Sequence, residues 1–137
     1  MASRKLTDLH PELLKLTLDF IEQAENNDLD ILIYCTYRSD FEQNQLYNIG
    51  RKTKGQIRTW AKAGESKHNH TVDGHPAALA FDCVPMINGK PYWYEDEITV
   101  SIWACLSKIA KNLGLEWAGN WGAHKRELFH FQLNLKG

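Results

Sequence analysis

The sequence predicts an α+β fold, with helices packed on a small, largely antiparallel sheet, and three observations carry that expectation. Segments 11–25 and 98–113 place apolar residues at helical spacing. Short runs rich in branched and aromatic residues, 29–37, 79–84, 115–118 and 130–135, read as strands. The resulting order, α-β-α-loop-β-β-α-β-β, suits helices laid on such a sheet.

Pro11 suits the first turn of a helix whose stripe is drawn from Leu13, Leu14, Leu16, Leu18, Phe20 and Ile21. Asn26-Asn27-Asp28 ends it. Leu29 to Tyr37 follows as a buried strand. Ser39-Asp40-Phe41-Glu42 matches a capping box, which starts a helix running to about Ile49, and Gly50 stops it. Residues 51–78 show no clean period and hold Gly55, Gly64, Gly74 and Pro76. A loop of that length is uncommon in a compact domain and is usually functional or disordered. Leu79 to Val84 reads as a strand. Asn88-Gly89 then signals a turn, across which Lys90 to Tyr94 can pair back as a hairpin. Ile98 to Leu113 is a helix with Ile102, Trp103, Leu106, Ile109, Ala110 and Leu113 on one face and Gly114 as its C-cap.

At 137 residues the chain fits one domain, 1–137, able to bury about two thirds of its unfolded surface. A net charge of −1 argues against a nucleic-acid binder, which usually carries a basic excess. Charge is nevertheless uneven: Arg51, Lys52, Lys54, Arg58, Lys62 and Lys67 face only Glu65 in that stretch. It reads as a solvated loop or as a patch that meets an anionic polymer. Cys35, Cys83 and Cys105 are widely spaced and form no Cys-x-x-Cys pair, so they suggest neither a disulfide framework nor a cysteine zinc site. Cys35 and Cys83, inside apolar runs, read as buried thiols of a reducing compartment. The N-terminus has no apolar core of signal-peptide length, and no run reaches the roughly 18 apolar residues that span a bilayer. The expectation is a soluble chain made in the cytoplasm, monomeric and without stable membrane insertion.

The chemistry gathers in two segments. Asp82 interrupts the strand Leu79-Ala80-Phe81-Asp82-Cys83-Val84, where an unpaired carboxylate is costly, so a metal or a basic partner is expected beside it. Alternation puts Asp82 on a face with Ala80 and Val84, and Phe81 with Cys83 on the other. His130 is a polar intruder in Phe129-His130-Phe131-Gln132-Leu133, and Glu127 precedes it by three residues. On one continuous strand those two would point to opposite faces, so the chain must turn between them for both to reach one site. With His68 of Ser66-Lys67-His68, these residues can close three sides of a zinc tetrahedron, leaving the fourth position for water. A spare carboxylate such as Glu127 is the usual means of taking that water's proton. His70 and His75 compete with His68 for the first position. His124 reads as a substrate-side or surface residue.

Ser-x-His, then Ala-x-Asp in a strand, then Glu-x-x-His near the C-terminus, resembles the zinc peptidases of the D-alanyl-D-alanine carboxypeptidase and phage endolysin group, whose fold the Hedgehog signalling domain shares. Tyr37-Arg38-Ser39 with Gln43 and Leu46 is similar to the family's Arg-Ser/Thr-x-x-x-Gln-x-x-Leu stretch, and Trp117-Ala-Gly-Asn-Trp121 to the segment before its last ligand. Together these motifs span about residues 8 to 135. The resemblance implies zinc on His68, Asp82 and His130, and Glu127 as catalytic base. Arg38 would bind or polarise the substrate carbonyl, Ser66 would steady the first ligand segment, and Gln43 and Trp121 would support the site. Many relatives place the first histidine seven residues before the aspartate, which here is His75, whereas His68 stands fourteen before Asp82. Asn69 to Pro76 is then an inserted loop turning at Asp73-Gly74.

The short chain, with no attached wall-binding domain, looks like the phage L-alanyl-D-glutamate endopeptidases. That implies peptidoglycan as substrate, cleavage between L-Ala and D-Glu, host lysis, and a holin-like membrane partner that lets the enzyme reach the wall. The alternatives are a D,D-carboxypeptidase of the same family, a non-catalytic zinc module of the same fold, and a muramidase-like lysin using Glu95, Asp96 and Glu97. Those three acids more simply begin a helix, where they suit its dipole.

Overall fold

The computed structural model describes residues 2–135. Helix α1 (Pro11–Asn26) begins on the proline, and His10 Nδ1 accepts from the backbone N–H of Glu12 at 3.1 Å. Strand β1 (Asp30–Cys35) follows, then α2 (Asp40–Asn48), whose N-terminus is closed by the reciprocal box between Ser39 and Glu42. The long loop contains a 3₁₀ turn, Lys67–Asn69, and a small hairpin of β2 (Thr71–Val72) and β3 (His75–Pro76). Strand β4 (Ala80–Ile87), β5 (Lys90–Pro91), α3 (Glu97–Leu113), β6 (Glu116–Trp117) and β7 (His130–Gln132) complete the chain.

The main sheet has the order β1-β4-β7-β6, with β5 beside the far end of β4, and every pairing is antiparallel. The predicted α+β architecture is what forms. Several strand boundaries differ: the expected strands 29–37, 115–118 and 130–135 are shorter, at Asp30–Cys35, Glu116–Trp117 and His130–Gln132. β4 runs on to Ile87 because β5 and β1 both pair with its distal half, and the return strand stops at Pro91 instead of reaching Tyr94. Asp73 and Gly74 both adopt positive φ, 51° and 78°, as a two-residue hairpin turn requires.

Alternation divides β4 as expected. Phe81 and Cys83 lie in the hydrophobic core under α1 and α3, where Phe20 packs edge-on to Phe81 at 5.3 Å and Phe81 stacks on Phe131 at 5.4 Å. Asp82 therefore emerges on the opposite face, with Cys35 on one side of it and His130 on the other as register partners. Cys35 reaches that row through a bulge: Ile33 pairs with Cys83 and Cys35 with Asp82, so Tyr34 is the extra residue. One face of the sheet makes the core; the other carries the polar row.

Candidate metal centre

Three segments bring the first histidine to Asp82. Ser66 accepts from the backbone N–H of His68 at 3.2 Å and starts the 3₁₀ turn. The turn is tied to the end of β1, because Arg38 N–H donates to His68 O at 2.9 Å and Asn69 Nδ2 donates to Arg38 O at 2.7 Å. Leu79 N–H donates to Lys67 O at 2.9 Å, which docks the same turn onto the start of β4. His68 is buried in consequence, with Nε2 3.1 Å from Asp82 Oδ1.

His130 arrives directly across the sheet, its Nδ1 also 3.1 Å from Asp82 Oδ1. The other nitrogen of each ring is already committed. His68 Nδ1 lies 2.7 Å from Thr36 O, a carbonyl that can only accept, so this nitrogen carries the proton. His130 Nε2 lies 2.8 Å from Gln132 Oε1, which likewise accepts. The nitrogens left to face Asp82 then present lone pairs to a carboxylate oxygen. Such a cluster demands a positive centre. A metal ion would supply it: ligand atoms of Cys35, His68 and Asp82 lie within 4.8 Å of one another, His130 adds its Nδ1 beside Asp82, and each histidine already has the outer hydrogen bond that metal-bound imidazoles usually make. In the metal-free chain protons do the work. Burial opposes a charged His68, but Asp82 outweighs it and holds the pKa up to about 10. Burial would raise Asp82, yet His68 and then His130 hold it far below the usual carboxylate range.

Cys35 also lies within ligand distance of His68 and Asp82, which the sequence expectation of an uninvolved buried thiol did not include. Its Sγ sits 3.7 Å from His68 Nδ1, the nitrogen bonded to Thr36, and 3.3 Å from the Arg38 guanidinium that donates to it. That places it between the first histidine and Arg38. Arg38 is further held by Gln43 Oε1 at 2.9 Å and approaches Asp82 Oδ2 at 3.9 Å. Gln43, fully buried, donates in turn to Ala61 O at 2.7 Å and so ties α2 to the loop.

The required turn between Glu127 and His130 is present, at Leu128-Phe129. The neck of the loop before it is closed by Trp117 Nε1 donating to Leu128 O at 2.7 Å and by Glu127 N–H donating to Ala118 O at 3.2 Å. Gly119 is obligatory in that neck, since a Cβ would lie 2.1 Å from the Trp117 ring. The loop delivers Glu127 to the mouth of a cavity of about 810 Å³, whose walls also include Arg38, His68, Asp82, Trp121 and His130. Partial burial raises the Glu127 pKa; His130 opposes the shift and Asp82 adds to it. Trp121 packs 5.4 Å from the His130 ring and donates to Glu116. Tyr34, the bulged residue, lines the same cavity, and burial and then Asp82 push its hydroxyl pKa up.

The competing histidines lie elsewhere. His75 is exposed on the small hairpin, and His70 bonds Ala77 O at 2.8 Å against the His10 ring. His124, also exposed, packs against Trp60 and accepts its indole N–H through the backbone carbonyl. Within the basic stretch, Arg58 and Lys67 line the cavity. Arg51 instead lies over the Tyr47 ring at 3.7 Å and bonds Tyr47 O, so it braces the loop. Of the three acids proposed for muramidase chemistry, Asp96 caps α3, Glu97 fills its first turn and Glu95 pairs with Arg126 at 3.2 Å.

Comparison with known proteins identifies the family and the fold. The chain is 37% identical over 125 residues to the peptidoglycan L-alanyl-D-glutamate endopeptidase CwlK of Bacillus subtilis, covering 87% of this chain and 70% of that one. Its fold matches the L-Ala D-Glu endopeptidase ChiX of Serratia marcescens with a TM-score of 0.64 at 22% identity, over 98% of this chain and 89% of the other. It matches the LD-carboxypeptidase LdcB with a TM-score of 0.66 at 17% identity, over 91% of this chain and 58% of that one. Residues 6–131 match the VanY profile, described as D-alanyl-D-alanine carboxypeptidase, and with the motifs that frame His68, Asp82 and His130 this shows that the chain belongs to the VanY family.

Proposed function

We propose that the protein is a zinc-dependent peptidoglycan hydrolase that cuts the L-Ala–D-Glu amide of the stem peptide. The observation that carries the metal is the convergence of His68 Nε2, His130 Nδ1 and Asp82 Oδ1 with both ring N–H groups turned away. Zinc bound there supplies a Lewis acid and brings the pKa of water toward neutrality. Glu127, at the same cavity mouth, accepts the proton of the attacking water and returns it to the leaving amine. Arg38, locked by Gln43 and Cys35, offers a fixed cation to the oxyanion that develops on the scissile carbonyl. Arg58 and Lys67 line the cavity beside Glu65 and Glu95 and offer individual cations to the carboxylates of the stem peptide.

The choice of bond is supported by the identity to CwlK, whose name states that cleavage. The second reading, a D,D-carboxypeptidase, is favoured by the family's own description. Mass spectrometry of muropeptides digested by wild type and by Glu127→Ala separates them. New N-terminal D-Glu supports the endopeptidase, and released D-Ala supports the rival. Glu127→Ala is expected to stay folded and keep zinc while activity falls by about 10²–10⁴-fold; near-wild-type cleavage by that variant would remove Glu127 as the base. Resemblance to the phage enzymes supports a role in host lysis, with export through a lesion made by a holin-like partner. Expression in a bacterium with and without a holin tests this, since lysis without it overturns the export route.

A further inference from the structure

His130, Gln132 and Asn134 alternate along β7 and its continuation, which puts all three on the face that carries Asp82. Strand β6 sets Glu116 opposite Gln132 in register. These groups form one unbroken chain. His130 Nε2 lies 2.8 Å from Gln132 Oε1, Gln132 Nε2 donates to Asn134 Oδ1 at 3.2 Å, and Asn134 Nδ2 donates to Glu116 Oε1 at 2.7 Å. The second oxygen of Glu116 accepts from Trp121 Nε1 at 2.5 Å, and the Trp121 ring packs on His130.

The direction of every bond in this chain follows from its carboxylate end. Glu116 is kept ionised, because the Asn134 and Trp121 donors hold its pKa below the ordinary value. A carboxylate only accepts, so Asn134 must turn its nitrogen to Glu116 and its oxygen to Gln132. Gln132 must then donate to Asn134 and leave its own oxygen for the imidazole. That oxygen takes an N–H, which places the His130 proton on Nε2 and the lone pair on Nδ1, the atom 3.1 Å from Asp82 Oδ1. We infer that Glu116, acting through Asn134 and Gln132, fixes the tautomer of His130 so that Nδ1 is always presented to the metal. The three are positioning residues, and none needs to touch substrate. The inference rests on the metal reading of the site.

The test uses the full chain and two readouts besides activity. One is the zinc dissociation constant by chelator competition; the other is the histidine ring ¹⁵N spectrum of the zinc-loaded protein, which reports the nitrogen that keeps its proton. Gln132→Leu and Asn134→Leu, the latter at the exposed end of the chain and removing the acceptor that orients Gln132, are each expected to weaken zinc by about 10–100-fold. The His130 Nε2–H signal is expected to weaken or shift in both. Gln132→Glu supplies an acceptor that no longer depends on its neighbours, so zinc affinity is expected to stay near wild type even when Glu116→Ala is added. A dissociation constant within threefold of wild type for both Gln132→Leu and Asn134→Leu overturns the inference, as does loss of zinc in the Gln132→Glu, Glu116→Ala double variant. Absence of zinc binding by the wild type itself removes the metal reading and this inference with it.

Discussion

Raising the pH of the metal-free protein from 6.5 to 8 is expected to destabilise it, because the His68–Asp82 pair is held together by a proton. The His68 pKa rises from 6.5 to about 10 on folding. Below 6.5 both folded and unfolded chains bind that proton, and the pair contributes in full. Above 6.5 the unfolded chain releases it while the folded one keeps it, so stability falls by roughly 1.4 kcal/mol per pH unit until the folded pKa is passed. Across the window from 6.5 to 8 the loss is about 2 kcal/mol by the same relation. Asp82 adds no slope here: its folded pKa is lowered, so its contribution is complete above the ordinary carboxylate range and is lost only in acid. The window closes at 8 because burial holds the Cys83 thiol well above its usual pKa, which brings a further loss of the same sign in alkali. Urea unfolding followed by tryptophan fluorescence at half-unit pH steps measures the slope. With saturating zinc the slope should vanish or reverse, since the metal replaces the proton and binds better as the ligands deprotonate. Asp82→Asn should abolish the slope in the metal-free chain. Flat or rising stability of metal-free wild type between pH 6.5 and 8 would refute the protonated pair.

His68→Ala is expected to lose zinc and His75→Ala to retain it, as read by metal content after dialysis; the opposite pattern would return the first ligand position to the small hairpin. Gln43→Leu leaves Ala61 O and the Arg38 guanidinium without their buried partner, so it should destabilise the fold by about 1–3 kcal/mol. The same variant should lower turnover more than it weakens zinc, because Gln43 reaches the reaction only through Arg38.

The sequence by itself determined the fold class, the helix boundaries and the polar members of two apolar strands. Those features rest on local rules: Pro11 at a first turn, the Ser39–Glu42 box, Gly114 at a C-cap with φ 81°, and the period of two that set Asp82 and His130 against their apolar neighbours. Even the Asp73-Gly74 turn was legible, since two positive-φ residues have few other uses.

Only the tertiary structure decided what meets at the site. Plain alternation would send Cys35 to the helix-covered face with Ile33; the bulge at Tyr34 turns it toward Asp82 and His68, and a one-residue insertion has no local signature in an apolar run. The placement of His68, and not His75, beside Asp82 likewise came from docking. The 3₁₀ turn is pinned at once to Arg38 and to Leu79, whereas the hairpin that holds His75 projects into solvent. The chain from Glu116 to His130 joins residues of two strands whose pairing no spacing announces. Sequence names the groups able to bind a metal, and the register of the sheet decides which lone pairs face each other and therefore need one.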